Sequence, residues 1–109
     1  MKIEERRIGQ SVFLEVLEPR LGADGAASFK ESVGQYLQAG QRRLVLDLSH
    51  VGFIDSSGLG AILSVLKRMG DNGNLILCGV TEPVACMLKL TRMDRVLTIC
   101  KTVEDAVAV

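Results

Sequence analysis

The chain has no tryptophan, one tyrosine and three phenylalanines among 109 residues, so any core it builds is aliphatic. It has no surplus of either charge, because 13 basic residues stand against 13 acidic ones. Sequence-independent binding to nucleic acid or to an anionic membrane needs a positive surplus. There is a single histidine, His50, and three cysteines, Cys78, Cys86 and Cys100, with no CxxC spacing and no close Cys/His cluster. That set argues against a structural zinc site of the usual kinds, and an odd, unpatterned set of thiols fits a reducing cytoplasm. Cys78 in "LILCGV" and Cys100 in "VLTIC" sit in apolar runs and read as small core residues. No run approaches the ~20 apolar residues of a membrane span. The opening "MKIEERRIGQ" has no apolar segment behind its charges, as a signal peptide would. The expectation is a cytoplasmic chain with no nucleic-acid partner, no direct membrane insertion, no metal and no cofactor.

What is present is the material of one ordinary domain, residues 1–109, in which 48% hydrophobic residues suffice for a packed core. "KIEERRI" and "SVFLEVL" (Ser11–Leu17), separated by Gly9-Gln10, read as a hairpin. "EPRLGADG" (Glu18–Gly25) reads as a loop, with Asp24 placed to cap the helix that follows. In that helix Phe29, Val33, Tyr36 and Leu37 recur at helical spacing until Gly40. "RLVLDLS" (Arg43–Ser49) and "LILCGV" (Leu75–Val80) read as strands, the second apolar enough to be buried on both faces. Between them Leu59, Ile62, Leu63, Leu66 and Met69 mark a helix from about 57 to 70. The unit is a βαβ crossover, so its two strands are expected to be parallel. Thr81 and Pro83 open a third helix, "RVLTIC" (Arg95–Cys100) reads as a last strand, and Thr102 with Asp105 resembles a capping box for a terminal helix. Lys67 and Arg68 read as a solvated last helical turn.

The most informative stretch is "FIDSSGLGAIL" (Phe53–Leu63), at the start of the second helix. Asp55, Ser56 or Ser57 can each cap a helix, but a cap needs only one of them, so at least one serine is left over. Gly58 and Gly60 each cost about 1 kcal/mol against alanine inside a helix. Two readings stay open for them: tight packing of the helix within the chain, or close approach of another molecule. The loop past the C-terminal end of a strand is where α/β proteins usually meet ligands and partners.

Catalytic readings fare poorly. No GxxxxGK[ST] occurs, Leu63 stands where a GxGxxG motif needs its third glycine, and neither serine has the glycine two residues earlier that a nucleophile elbow requires. His50 reads as a solvated turn residue rather than a general base. A serine here can instead be a substrate. Phosphorylation adds roughly −1.5 to −2 charges, which a helix N-terminus accommodates while a partner seated on the surface would lose its fit.

"FIDSSGLGAIL", preceded by "RRLVLDLSHVG", closely resembles the signature of the STAS family and, within it, the bacterial anti-sigma factor antagonists; the order of elements matches along nearly the whole chain. The resemblance implies an α/β fold with a central mixed sheet and about four helices packed mainly on one face, and no enzymatic activity. It implies that the unphosphorylated chain binds an anti-sigma factor that is also a serine-protein kinase, so that a sigma factor is released. Phosphorylation of the serine directly after the motif aspartate, Ser56, would end the binding, and a serine phosphatase would reset it. Asp55, Ser57, Gly58, Leu59 and Gly60 would shape the docking surface, together with the loop at Leu21, Gly22 and Asp24. That loop departs from the family pattern. Antagonists commonly carry G-x-[LF]-D there, whereas "PRLGAD" places Gly22 after Leu21 and its nearest acid at Asp24. The same family includes partner-switching adaptors that do not act on a sigma factor and subunits of lipid-type ABC transporters, which are the alternatives.

Overall fold

The computed structural model describes residues 1–108. Two antiparallel strands, β1 (Ile3–Ile8) and β2 (Ser11–Val16), form the expected hairpin, with Ile8 opposite Ser11 at the turn. Strand β3 (Arg20–Leu21) leads to helix α1 (Ala26–Gln38) and strand β4 (Arg43–Asp47). Strand β5 (Phe53–Ile54) then runs directly into helix α2 (Ser56–Met69), followed by strand β6 (Asn74–Cys78), helix α3 (Glu82–Leu90), strand β7 (Thr98–Cys100) and helix α4 (Val103–Ala108).

Five strands make one mixed sheet in the order β1-β2-β4-β6-β7, antiparallel at the hairpin and parallel across β2, β4, β6 and β7. Side chains alternate across it with period two. Val12, Leu14, Val16, Leu44, Leu46, Leu75 and Leu77 point to the face covered by Phe29, Val33 and Leu37 of α1, Leu59, Ile62 and Val65 of α2, and Val84 and Leu88 of α3. Each such side chain, taken fully out of water, contributes about 1.5–3 kcal/mol. The opposite face carries Phe13, Val45, Ile76 and Cys78 and is covered by α4 through Val103 and Ala106. β6 is thus buried on both sides, as its unbroken apolar run implies. Arg43 anchors α4, its Nε donating to Ser11 Oγ at 2.7 Å and its Nη2 to the Ala106 carbonyl at 3.1 Å. At the start of α4, Thr102 Oγ1 accepts the Asp105 amide at 3.1 Å, one half of the expected capping box.

The structure corrects several local readings. The segment read as a loop from Glu18 to Gly25 contains β3, which pairs in parallel with β5 as a separate two-stranded sheet, Arg20 beside Phe53 and Leu21 beside Ile54. Two-residue strands are too short to show any periodicity. Asp24 is not the cap of α1. Gly25 holds that position with no side-chain cap hydrogen bond, because Gly22 and Gly25 close a backbone turn first, the Gly25 amide donating to the Gly22 carbonyl at 3.0 Å. Thr81 occupies the N-cap of α3 but sends its hydroxyl to the Val51 carbonyl at 2.6 Å, tying α3 to the loop ahead of β5. The last strand begins at Thr98, since Met93–Arg95 form a short 3-10 turn. Lys67 and Arg68 are exposed in the last turn of α2, as expected, with the Arg68 guanidinium lying beside Gly34 of α1.

Candidate functional site

The parallel pair β3–β5 sets the loop around Gly22 against the first turn of α2. Gly52 donates to the Pro19 carbonyl at 2.9 Å and Asp55 to the Leu21 carbonyl at 3.4 Å, which continues the β3–β5 register up to the helix. Leu21 and Ile54 turn inward and are buried, so their neighbours Arg20 and Phe53 turn outward.

Asp55 is the cap of α2. Its backbone is extended (φ −116°, ψ −174°) and its Oδ1 accepts the Gly58 amide at 3.0 Å. Its Oδ2 reaches the other way and accepts the Ala23 amide at 3.2 Å. One carboxylate therefore satisfies a helix terminus and fastens the loop of β3 to it. The amide of Gly58 is the main reason the Asp55 carboxyl is held below its ordinary pKa; partial desolvation opposes this, and the amides of Ala23 and Ser57 and the positive Arg20 add to it. Gly22 makes room for this carboxylate. A Cβ on Gly22 would lie 2.9 Å from Asp55 Oδ2, so the absence of an acid at this point of the loop accompanies a second acid's occupation of the space.

The surplus of serines now has a physical description. Because Asp55 does the capping, Ser56 and Ser57 are both exposed, and neither hydroxyl makes a hydrogen bond among the described residues. The two glycines separate as well. A Cβ on Gly58 would run into the Leu21 carbonyl oxygen and would sit 2.9 Å from Ile54 Cγ1, so Gly58 is required by packing within the chain. Gly60 is exposed and a Cβ there would meet nothing within 4 Å. Leu59, between them, is buried in the core, so it shapes the surface only from beneath. Leu21 and Gly22 are likewise buried, while Asp24 is exposed at the rim.

Two residues not singled out in the sequence complete the surface. Phe53 is 39% exposed, one of the few large apolar side chains left open to water. The Arg20 guanidinium covers its ring at 4.2 Å from the centroid, a cation–π contact. A shallow cleft of about 360 Å³ lined by Glu18, Pro19, Arg20, Asp24 and Ser28 borders the pair. An aromatic two residues ahead of Asp55, in a chain with only three phenylalanines, was the available signal. His50, which a hydrolytic site would need, is turned to Glu15 instead, Nε2 to Oε2 at 2.7 Å. No helix of the described residues is long and apolar enough to cross a membrane.

Comparison with known proteins identifies the family and the fold. Residues 12–106 match the family model of the STAS domain. A candidate anti-sigma factor antagonist from Thermotoga maritima is 32% identical over 102 residues, covering 92% of this chain and 90% of the relative. The crystal structure of a candidate anti-sigma factor antagonist from the same organism superposes with a TM-score of 0.88 at 30% identity, covering 97% of this chain and 92% of that one. The fold extends to the anti-sigma factor antagonist SpoIIAA in its unphosphorylated form, with a TM-score of 0.72 at 15% identity over 98% of this chain and 94% of that one. SpoIIAA of Bacillus in its phosphorylated form matches with the same TM-score at 14% identity, over 98% of this chain and 97% of that one. The chain belongs to the STAS domain family, among relatives named as anti-sigma factor antagonists.

Proposed function

We propose that this chain is a non-enzymatic, phosphorylation-gated binding module, an anti-sigma factor antagonist. In its unphosphorylated form it binds an anti-sigma factor that also acts as a serine kinase, and so frees a sigma factor. Phosphorylation at Ser56 ends the complex and a serine phosphatase restores it.

The observation that carries this reading is the division of labour at the start of α2. Asp55 alone caps the helix, leaving the Ser56 hydroxyl exposed and uncommitted beside a glycine, Gly60, with open space in front of it. A partner backbone can approach there without meeting a side chain. A phosphate on Ser56 adds roughly −1.5 to −2 charges next to a carboxylate already held in its ionised form. The helix N-terminus tolerates that charge in the free chain, so the chain stays folded. A partner seated on the same patch would have to desolvate both anions, so the complex is what fails. A fold neighbour, SpoIIAA, has been solved in both unphosphorylated and phosphorylated forms, which supports the reading.

The test is a pull-down from the source cell's lysate with Ser56→Ala and Ser56→Asp baits in parallel, with captured proteins identified by mass spectrometry. The expected result is an ATP-binding kinase-like protein captured by the first bait and depleted with the second. Equal capture by both baits would remove the gate. Capture of a membrane transporter by both would favour a constitutive STAS subunit.

A further inference from the structure

The outward side of the β3–β5 pair forms one strip that leads to Ser56. Arg20 stands beside Phe53 in the parallel register. Asp55, two residues beyond Phe53, still has extended backbone and so falls on the same side of the pleat. Ser56 follows at once, exposed, as the first residue of α2. The Arg20 guanidinium rests 4.2 Å from the centre of the Phe53 ring. Among the described residues it makes no ion pair and no hydrogen bond. It still acts on the motif, as the positive group felt by the Asp55 carboxyl. Its other charged neighbours are acids, Glu18 and Asp24, in the cleft beside it. The second cation of that cleft, the Met1 amine, already donates to Ser28 Oγ at 3.1 Å.

We propose that Arg20 is the internal receiver of a phosphate on Ser56: its guanidinium leaves the Phe53 ring and pairs with the phosphoserine of its own chain. This rests on the reading of Ser56 as a phosphoacceptor. The reach is available. Phe53 and Ser56 are three residues apart, at most about 11 Å of chain, and an arginine and a phosphoserine, both long side chains, span that between them. The exchange of contacts is favourable. An exposed cation–π contact is a weak hold, whereas a guanidinium fork matches a phosphate with two charge-assisted hydrogen bonds. Without Arg20 the phosphate would face Asp55 with only the helix N-terminus to balance it. The pairing gives the switch a second action. It draws the phosphate towards the strip that carries Phe53, so the exposed aromatic is obstructed along with the open surface at Gly60.

The test uses the full chain with phosphoserine installed at position 56 during synthesis, so that no kinase is needed, and the same chain carrying Arg20→Gln. Two readings are taken by NMR. In the unphosphorylated chain the Arg20 side-chain protons are expected upfield, shielded by the Phe53 ring. Phosphorylation is expected to return them to ordinary positions and to move the Arg20 Nε proton downfield. The second ionisation of the phosphate, followed by its phosphorus resonance, is expected below its usual value of about 6. In Arg20→Gln it is expected about half a pH unit or more higher. Melting of both chains guards against a folding defect, and the first reading needs no variant. Arg20 protons that stay shielded by the ring after phosphorylation overturn the proposal. So does a phosphate that ionises alike in the native and Arg20→Gln chains. Neither reading involves a partner. Undiminished partner capture by the phosphorylated chain would therefore remove the gate and not the pairing, while an unmoved Arg20 would remove the pairing and not the gate.

Discussion

Gly58 faces the backbone carbonyl of Leu21 so closely that a methyl group there would collide with backbone, which cannot swing aside as a side chain can. Gly60, two residues on in the same helix, faces open space. Opposite outcomes follow for the same substitution. Gly58→Ala gains helix propensity of about 1 kcal/mol but forces β3 away from α2, and overpacking of this kind typically costs 1–3 kcal/mol or more, so the net effect is destabilising. Gly60→Ala is expected to stabilise the chain by about 0.4–1 kcal/mol while weakening partner binding. Chemical denaturation of both variants, with a binding measurement on the second, checks the pair. A stable Gly58→Ala would show that the β3–α2 contact is not tight.

Asp55 links acidity to stability through its two amide bonds, to Gly58 and Ala23. Its carboxyl is held below the ordinary value, chiefly by the Gly58 amide. A carboxyl depressed in the folded state contributes stability that is fully present above its unfolded pKa and is lost as pH falls through the folded one. Replacing it with Asn is therefore expected to lower the melting temperature at neutral pH, and the gap between the two proteins should close in acid, below the ordinary carboxylate range. Melting curves across that range provide the check. A gap that does not change with pH would mean that the carboxylate's charge is not what the two amides need.

These two residues also mark how far the sequence could be read. The long strands and the core-facing residues of α1, α2 and α3 were legible because their apolar residues repeat over whole turns or along the pleat. The terminal capping pair at Thr102 and Asp105 was legible because its spacing is local. β3 and β5 were not, since two residues carry no period, and with them went the Arg20–Phe53 pairing that exists only once the strands are side by side. Asp55 was visible as one of three possible caps. That it also accepts the Ala23 amide, 32 residues away, is a fact of tertiary structure. The same holds for the glycines: the cost of each in a helix was evident, but only the neighbouring Leu21 carbonyl distinguishes the one needed for packing from the one left open.

Arg20 and Phe53 are expected to matter for binding and little for folding. Exposed aromatic and arginine side chains are typical interface anchors, and these two stack on each other at the rim of the Ser56 surface. Phe53→Ala is expected to weaken capture of the anti-sigma factor by about tenfold or more, or roughly 1.4 kcal/mol. Arg20→Ala should lose less affinity, and removing its contact with the Phe53 ring should cost the fold at most about 0.5–1 kcal/mol, the worth of an exposed cation–π contact. Calorimetric titration of each variant against the captured partner, with melting curves beside it, tests this. Full affinity in Phe53→Ala would move the interface off this side of α2.

The three cysteines, all free, should react in a fixed order set by exposure and charge. Cys86 lies exposed on α3, Cys100 is half-buried at the end of β7, and Cys78 is fully buried between the sheet and α4. Burial, reinforced by nearby Asp47, pushes the Cys78 thiol up to about 11. At neutral pH only about one Cys78 in ten thousand is then a thiolate, the form that reacts. Alkylation of the native chain followed by peptide mapping should therefore label Cys86 first and Cys100 more slowly. Cys78 should react only when the sheet opens, so that its rate reports unfolding. Adding denaturant should bring all three rates together. Native labelling of Cys78 as fast as Cys86 would mean that α4 does not hold the second face of the sheet closed, and the role of Arg43 in anchoring that helix would fall with it.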